Sequence, residues 1–560
     1  MDKNKHVNAI VIGAGAGGGV VAKELAVGGL SVTLFERGEW PVFDDHNIEE
    51  LISQRTQVLK SPFGPDWKRN PRVFVDKKGE RTTIMPTDGR YNQIAACVGS
   101  GTVSYGAMAW RYMPEDFKMK TVYGAVEGST LEDWPFSYDD IEPYYVKAEW
   151  EIGVAGDDNT PFAGPRSKPY PMPPFEYSKE GHFFYDICKR MGMHPFSIPM
   201  LRNSIHYNGR AACIRNRACV GYACPVDAKN GTQNTVIPVA MQSGNCQVKT
   251  GCMVAEIIVD DKGRAKGVKY FDEKNKGHIQ TADLVVVASS AIETARLLLN
   301  SKSKLFPDGA GNNNDWVGRN LQGHGYPGAM GLFDFEVLDM AGPGASMAIC
   351  DFNHHNPGLI GGGLLCTEFA QPPYTFSTVR PPGFALWGKE HKDFQRNYFY
   401  RVGRLHGPLQ EIPIFESRVT VDPSVKDYWG IPVAALSGSR HPLDRENSLF
   451  ITSQAETILK EGGATHVWLK GVPGINVDGP SAGSHQAGTC RMGIDPKTSV
   501  TNGFGQLHQI DNLFVADGSL IVTNGGFNPA LTIMALGYRV GEYIVKNFNS
   551  IQSSAIIPTQ

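Results

Sequence analysis

The sequence predicts an α/β fold, α+β overall, in which a parallel doubly wound sheet interleaves with a second unit built on an antiparallel sheet flanked by helices. Three observations predict it. The chain opens as strand, glycine-rich turn, helix and strand. It closes on an apolar strand followed by a long helix. Between them, residues 330–475 carry short alternating strands rich in aromatic residues. At 560 residues the chain exceeds what one compact core usually holds, so two joined units are expected.

The opening element is the most specific. Residues 7–12 (VNAIVI) read as a buried parallel strand. Gly13, Gly15 and Gly18 follow in GxGxxG spacing, residues 20–27 have helical character, and 30–35 read as a second strand ending at Glu36. Glycines at these positions let backbone approach a pyrophosphate. A helix N-terminus supplies N–H donors and partial positive charge, and Glu36 can accept hydrogen bonds from a ribose. This is a Rossmann-like dinucleotide-binding unit. Residues 9–22 behind Lys3 and Lys5 also resemble a signal-peptide core, but the dinucleotide context accounts for more of their pattern.

The fingerprint alone does not choose between FAD and NAD. Residues 283–289 read as another apolar strand and 290–300 as a helix, with small-sheet strands at 252–258 and 267–271. Sequence-distant pieces returning to the first βαβ unit suit a flavoprotein. Residues 510–517 (IDNLFVAD) form a strand ending in Asp517, and a helix is predicted from Pro529 to about Val545, with proline favourable in its first turn. The N-terminus of that helix, at Pro529 and Ala530, can stabilise negative charge on a reduced flavin.

Composition removes other classes. Lys and Arg total 54 against 57 Asp and Glu, so no basic field points to nucleic acid or an anionic membrane. No stretch is apolar for the roughly 20 residues a membrane helix needs. Ten cysteines, mostly scattered, fit a reduced cytoplasmic enzyme. A homo-oligomer is allowed, with neither dimer nor tetramer specified.

The fingerprint, VGSGTVSYGAMAWR (98–111), VGRNLQGH (317–324), HQAGTCRMG (485–493) and VADGSLIVTNGGFNPALTIMALG (515–537) together resemble the glucose–methanol–choline (GMC) oxidoreductase family, in family order. Segments 114–124, 133–145 and 169–174 are similar to bacterial FAD sugar dehydrogenase subunits and to pyranose and C-glycoside 3-oxidases. The resemblance implies an FAD-binding domain from 1–112, 205–325 and 478–550, and a substrate domain from 113–204 and 326–477. It implies His485 as the active-site base and Asn528 as its partner. A neutral imidazole can take a hydroxyl proton near neutral pH; an asparagine can only orient the substrate oxygen. His324 and His508 are expected to be structural.

The resemblance also places Gly99, Gly101, Thr102 and Ser104 in a flavin-contacting loop. Ser104 stands where some relatives carry a histidine bonded covalently to the flavin, which implies non-covalent FAD. Val254 is expected either at the adenine side or as plain core. The 330–475 region, including FESRVTV, is implied to cover the substrate pocket. Cys213, Cys219 and Cys224 (C-x5-C-x4-C-P) fall where some relatives hold a three-iron cluster; the last spacing is longer by one and no fourth cysteine neighbours them, so free thiols or one disulfide are the preferred reading. The expected substrate is a sugar or glycoside oxidised at C2 or C3 of a pyranose. Electrons are expected to go to oxygen or a diffusible acceptor, with an iron–sulfur dehydrogenase subunit as the alternative and a non-catalytic flavin-binding protein as a third.

Overall fold

The computed structural model describes residues 6–42 and 63–553, apart from 93, 161, 163, 368, 370, 371, 470–472 and 482. Its central sheet runs in the order Gln506–Leu507, Ile510–Val515, Gly277–Val287, Val7–Ile12, Val32–Phe35, Cys246–Lys249. All neighbours are parallel except the terminal Gln506–Leu507 hairpin strand. Val7–Ile12 lies in the middle, and its last four residues are buried. Such a strand must be apolar on both faces, as the sequence is here. The strand order reverses on either side of Val7–Ile12, and ligands of open α/β sheets bind at that reversal, beyond the strands' carboxyl ends.

The first helix, Ala16–Val27, begins inside the glycine run, four residues before the predicted start. It packs against the C-terminal helix, Ala530–Ser553, where Gly537 lies against the Gly17 backbone and Val20. The C-terminal helix runs past the expected Val545 because Ile551 still finds a buried site. Gly277–Val287 also begins earlier than expected. Its polar first half pairs antiparallel with Ala265–Phe271, while its apolar second half joins the parallel sheet. One strand thereby joins two sheets.

A second sheet is antiparallel and six-stranded: His466–Leu469, Gly328–Leu332, Val402–His406, Leu365–Thr367, Met347–Ile349, Phe196–Ser197. Helices Lys179–Arg190 and Pro442–Glu461 cover it, sharing a core of Phe184, Ile187, Leu405, Ile451 and Ile458. The strands expected around FESRVTV and WGIPVAAL are observed as Arg418–Lys426 and Pro432–Ser437, but they are not in this sheet. They form a four-stranded sheet with Arg72–Val75 and Arg81–Ile84. Alternation specifies a strand's two faces but not the sheet that receives it.

Buried charge fastens that smaller sheet to the helix Ala291–Asn300. Arg72 bonds Glu293 at 2.6 Å, and Arg296 bridges Glu293 at 3.1 Å and Asp427 at 2.6 Å. Arg72 and Arg296 beside it hold the Glu293 carboxyl well below the usual carboxylate range, against its burial. No described helix is long and apolar enough to cross a membrane.

Candidate active site

A cavity of about 700 Å³ opens at the reversal point of the parallel sheet and extends toward the antiparallel one. Its lining includes a small-residue group with one acid, Gly13, Gly15, Glu36, Gly101, Thr102 and Ser104. It also includes a second group, His485 and Asn528 together with Tyr326, His406 and Phe369. Val254, Asp517, Pro529 and Ala530 also line it.

The first group forms a cradle. Gly13 has φ +100°, and a Cβ there would lie 2.3 Å from the carbonyl oxygen of Ala288, so only glycine fits. The two carboxylate oxygens of Glu36 accept the N–H groups of Ala14 at 3.1 Å and Gly38 at 3.0 Å. This holds the acid at the cavity wall with lone pairs to spare for ribose hydroxyls. Burial raises the Glu36 pKa and those two bonds oppose the rise. A Cβ built on Gly101 would meet nothing within 4 Å, so at this point the backbone faces open cavity. Two helices, the first and the C-terminal one, direct their N-termini at the space. These residues fit FAD: close backbone for a pyrophosphate, an acid for the ribose and a helix end for the flavin.

Two predicted cofactor residues stand one layer back. Gly18 does not line the cavity; a side chain there would strike the Gly13 carbonyl at 1.9 Å, so its absence lets helix and strand approach. Gly99, at φ +92°, faces Gln233 instead. Asp517 is tied internally: it accepts from Ser519 N at 2.8 Å and from Thr294 Oγ1 at 2.6 Å.

The second group brings His485 and Asn528 side by side. His485 Nε2 lies 3.4 Å from Asn528 Nδ2. Asn528 is fixed in orientation, because its Oδ1 accepts from Trp110 Nε1 at 3.1 Å and indole N–H only donates. Its amide N–H donates to Tyr326 Oη at 3.1 Å. The other edge of the His485 ring, Nδ1, lies 2.9 Å from His324 Nδ1 and 3.0 Å from Tyr326 Oη. His324, expected to be structural, is buried on the cavity wall beside His485. His508 lies off the cavity and bonds Ser499 Oγ at 2.9 Å, in keeping with a structural role. Trp110, Tyr326 and His406 were missed outright. The only sequence signal for His324 was its place at the end of VGRNLQGH.

The cysteine segment is arranged differently from a cluster. Among the described residues no three His, Cys, Asp or Glu side chains are placed to share a metal ion, and all ten cysteines are free thiols. Cys219 Sγ receives Arg202 Nη1 at 3.6 Å, and Cys213 Sγ receives the Arg215 N–H at 3.3 Å. Lys229 and Arg202 bring the Cys219 pKa down against its burial. The segment touches the cavity-lining Gly101–Ser104 turn through the Gly221 N–H, which donates to the Ser104 carbonyl at 2.7 Å.

A dinucleotide cradle and a histidine–asparagine pair on one cavity define the site of a flavin-dependent oxidoreductase. The comparisons with known proteins agree. GMC oxidoreductase family models match residues 173–326 and 413–537. The chain is 30% identical to 2-methyl-1,2-propanediol dehydrogenase of Mycolicibacterium austroafricanum, over 99% of this chain and 98% of that one. It is 28% identical to the fructose dehydrogenase large subunit of Gluconobacter japonicus, over 96% and 97%. Among solved structures, pyridoxine 4-oxidase from Mesorbium loti shares the fold, with TM-score 0.61, 14% identity and coverage of 96% and 98%. The chain belongs to the GMC oxidoreductase family: it is an FAD-dependent enzyme acting on alcohol groups.

Proposed function

We propose that this enzyme oxidises a ring hydroxyl of a sugar or glycoside, C3 or C2 of a pyranose, to a ketone, with His485 as the base. The observation that carries the reading is the pairing of His485 and Asn528 on the wall of the same cavity that the glycine-rich cradle lines. An alcohol hydroxyl has one proton to give and lone pairs to accept. His485 Nε2 offers an acceptor for that proton, and Asn528 Nδ2 offers a donor to the oxygen. Trp110 keeps the asparagine's donor side turned inward. His485 then holds the proton at Nε2 while the carbonyl forms. Bound FAD supplies the two-electron acceptor for the hydride from the alcohol carbon.

Support for a sugar comes from segments 114–145 and 169–174, from the fructose dehydrogenase relative, and from the Tyr326 and Phe369 rings, which offer faces for sugar stacking. We propose non-covalent FAD, since Ser104 lines the cavity where some relatives carry a histidine. Gly13, Gly15, Glu36 and Val254 would hold its nucleotide end, and Gly101, Thr102, Pro529 and Ala530 its flavin end. The electrons are proposed to pass to oxygen or a diffusible acceptor, a reading supported by the hydrogen bonds of the Cys213 and Cys219 thiols to Arg215 and Arg202.

Anaerobic mixing of the holoenzyme with free sugars, O-glycosides, C-glycosides and 2-methyl-1,2-propanediol tests the substrate class. Flavin bleaching by pyranosides, with a keto sugar as product, is expected. Bleaching by the small diol alone would overturn the sugar reading.

A further inference from the structure

We propose that His324 is a positioning residue that sets the tautomer of His485 and thereby makes Nε2 the basic nitrogen. The inference rests on the reading of His485 as base, and it follows from hydrogen-bond polarity. The Gly525 carbonyl oxygen can only accept, and it lies 2.7 Å from His324 Nε2. That nitrogen therefore carries hydrogen. A neutral imidazole has one N–H, so His324 Nδ1 is bare. His485 Nδ1, 2.9 Å away, must then donate to it. His485 has used its one N–H at Nδ1, so Nε2, the nitrogen beside Asn528, is the unprotonated one.

The argument needs His324 neutral, and its surroundings keep it so. Burial pushes it down to about 4, although Glu411 and Asp116 both favour its charged form. Neither carboxylate is available to bond it. Glu411 is engaged by Arg440 at 2.9 Å, Ser481 at 2.5 Å and the Gly323 N–H at 3.1 Å. Asp116 is engaged by His354 at 3.1 Å, Gln410 at 2.9 Å and the Met113 N–H at 2.7 Å. On the other side of His485, Tyr326 Oη lies 3.0 Å from Nδ1; this hydroxyl accepts from Asn528 and keeps its own O–H to donate, so it does not by itself set the tautomer. When His485 takes the substrate proton it becomes a cation with both nitrogens protonated, and the bare His324 Nδ1 stabilises it. The pair accepts one proton per turnover, at Nε2.

Two measurements test this. The first is a long-range 1H–15N spectrum of holoenzyme labelled in histidine, with His485 assigned by its loss in His485→Gln. The Nδ1–H tautomer is expected in the wild type; the Nε2–H tautomer would overturn the proposal. The second compares His324→Gln with His324→Leu. Glutamine can accept from His485 Nδ1 and donate to Gly525, so it should keep the Nδ1–H tautomer and kcat within a few-fold. Leucine leaves His485 without that acceptor and should lower kcat on the order of 10²-fold or more with little change in KM, since a misplaced tautomer removes general-base catalysis. Equal losses in both variants, or full kcat in the leucine variant, would overturn it. Should the leucine variant fail to fold, the wild-type and glutamine spectra still decide. Unchanged flavin reduction in His485→Gln would instead overturn the base assignment, leaving the tautomer result readable by itself.

Discussion

Trp110→Phe removes the indole N–H and changes what Asn528 shows the substrate. In the wild type the indole N–H, 3.1 Å from Asn528 Oδ1, distinguishes the two ends of the amide. The opposite orientation would place two acceptors face to face at His485 Nε2, now 3.4 Å from the amide nitrogen. It would also let Tyr326 donate to the amide oxygen in place of accepting from its N–H. Without the indole, the amide loses the bond that fixes its oxygen end and is held less firmly against His485. A hydrogen bond of this kind contributes about 1–1.5 kcal/mol, so kcat/KM should fall about tenfold. The ring contacts of Trp110 with Phe196 and Phe527, centroids 5.9 and 5.6 Å away, survive in large part, so the fold should hold. Steady-state kinetics beside a thermal melt and flavin content is the assay. A tenfold loss with bound flavin and nearly unchanged Tm is expected. Unchanged kcat/KM would refute the argument that the indole orients the amide.

Two further outcomes follow from the cradle and the buried charges. Gly101→Leu should fold with nearly the wild-type Tm yet purify without flavin, because its side chain enters open cavity rather than protein; a yellow protein would contradict the cradle. Glu293→Gln removes the acid shared by Arg72 and Arg296 and should cost about 3–5 kcal/mol, read from urea midpoints. Because the folded pKa of Glu293 is depressed, its contribution is present above the unfolded value of about 4.3 and is lost as pH falls below it, so the variant should show a shallower acid limb. A variant as stable as wild type at pH 7 would remove the network from the account.

Much of the cofactor end was legible because its signals are local. Gly13, Gly15 and Glu36 sit within one βαβ unit whose spacing is set by the turn, the helix and the second strand. The strands at 253–259 and 265–271 were visible for the same reason. The substrate end was legible only as resemblance for His485 and Asn528. Its supporting groups are joined across long separations: Trp110 reaches Asn528 over 418 positions, and His324 reaches His485 over 161. No periodicity reports such a contact. Strand partners were lost likewise, since Arg418–Lys426 alternates equally well whichever sheet receives it. The first half of Gly277–Val287 was missed because GHIQT has no apolar run; its stability comes from pairing with Ala265–Phe271.

The central claim is that His485 takes the proton of the alcohol at a flavin site. Anaerobic stopped-flow reduction of the flavin in His485→Gln, with any substrate that bleaches the wild type, tests it most directly. The account predicts full flavin content and a reduction rate lowered by about 10²–10⁴-fold, the usual worth of a positioned base. Reduction at the wild-type rate would contradict it.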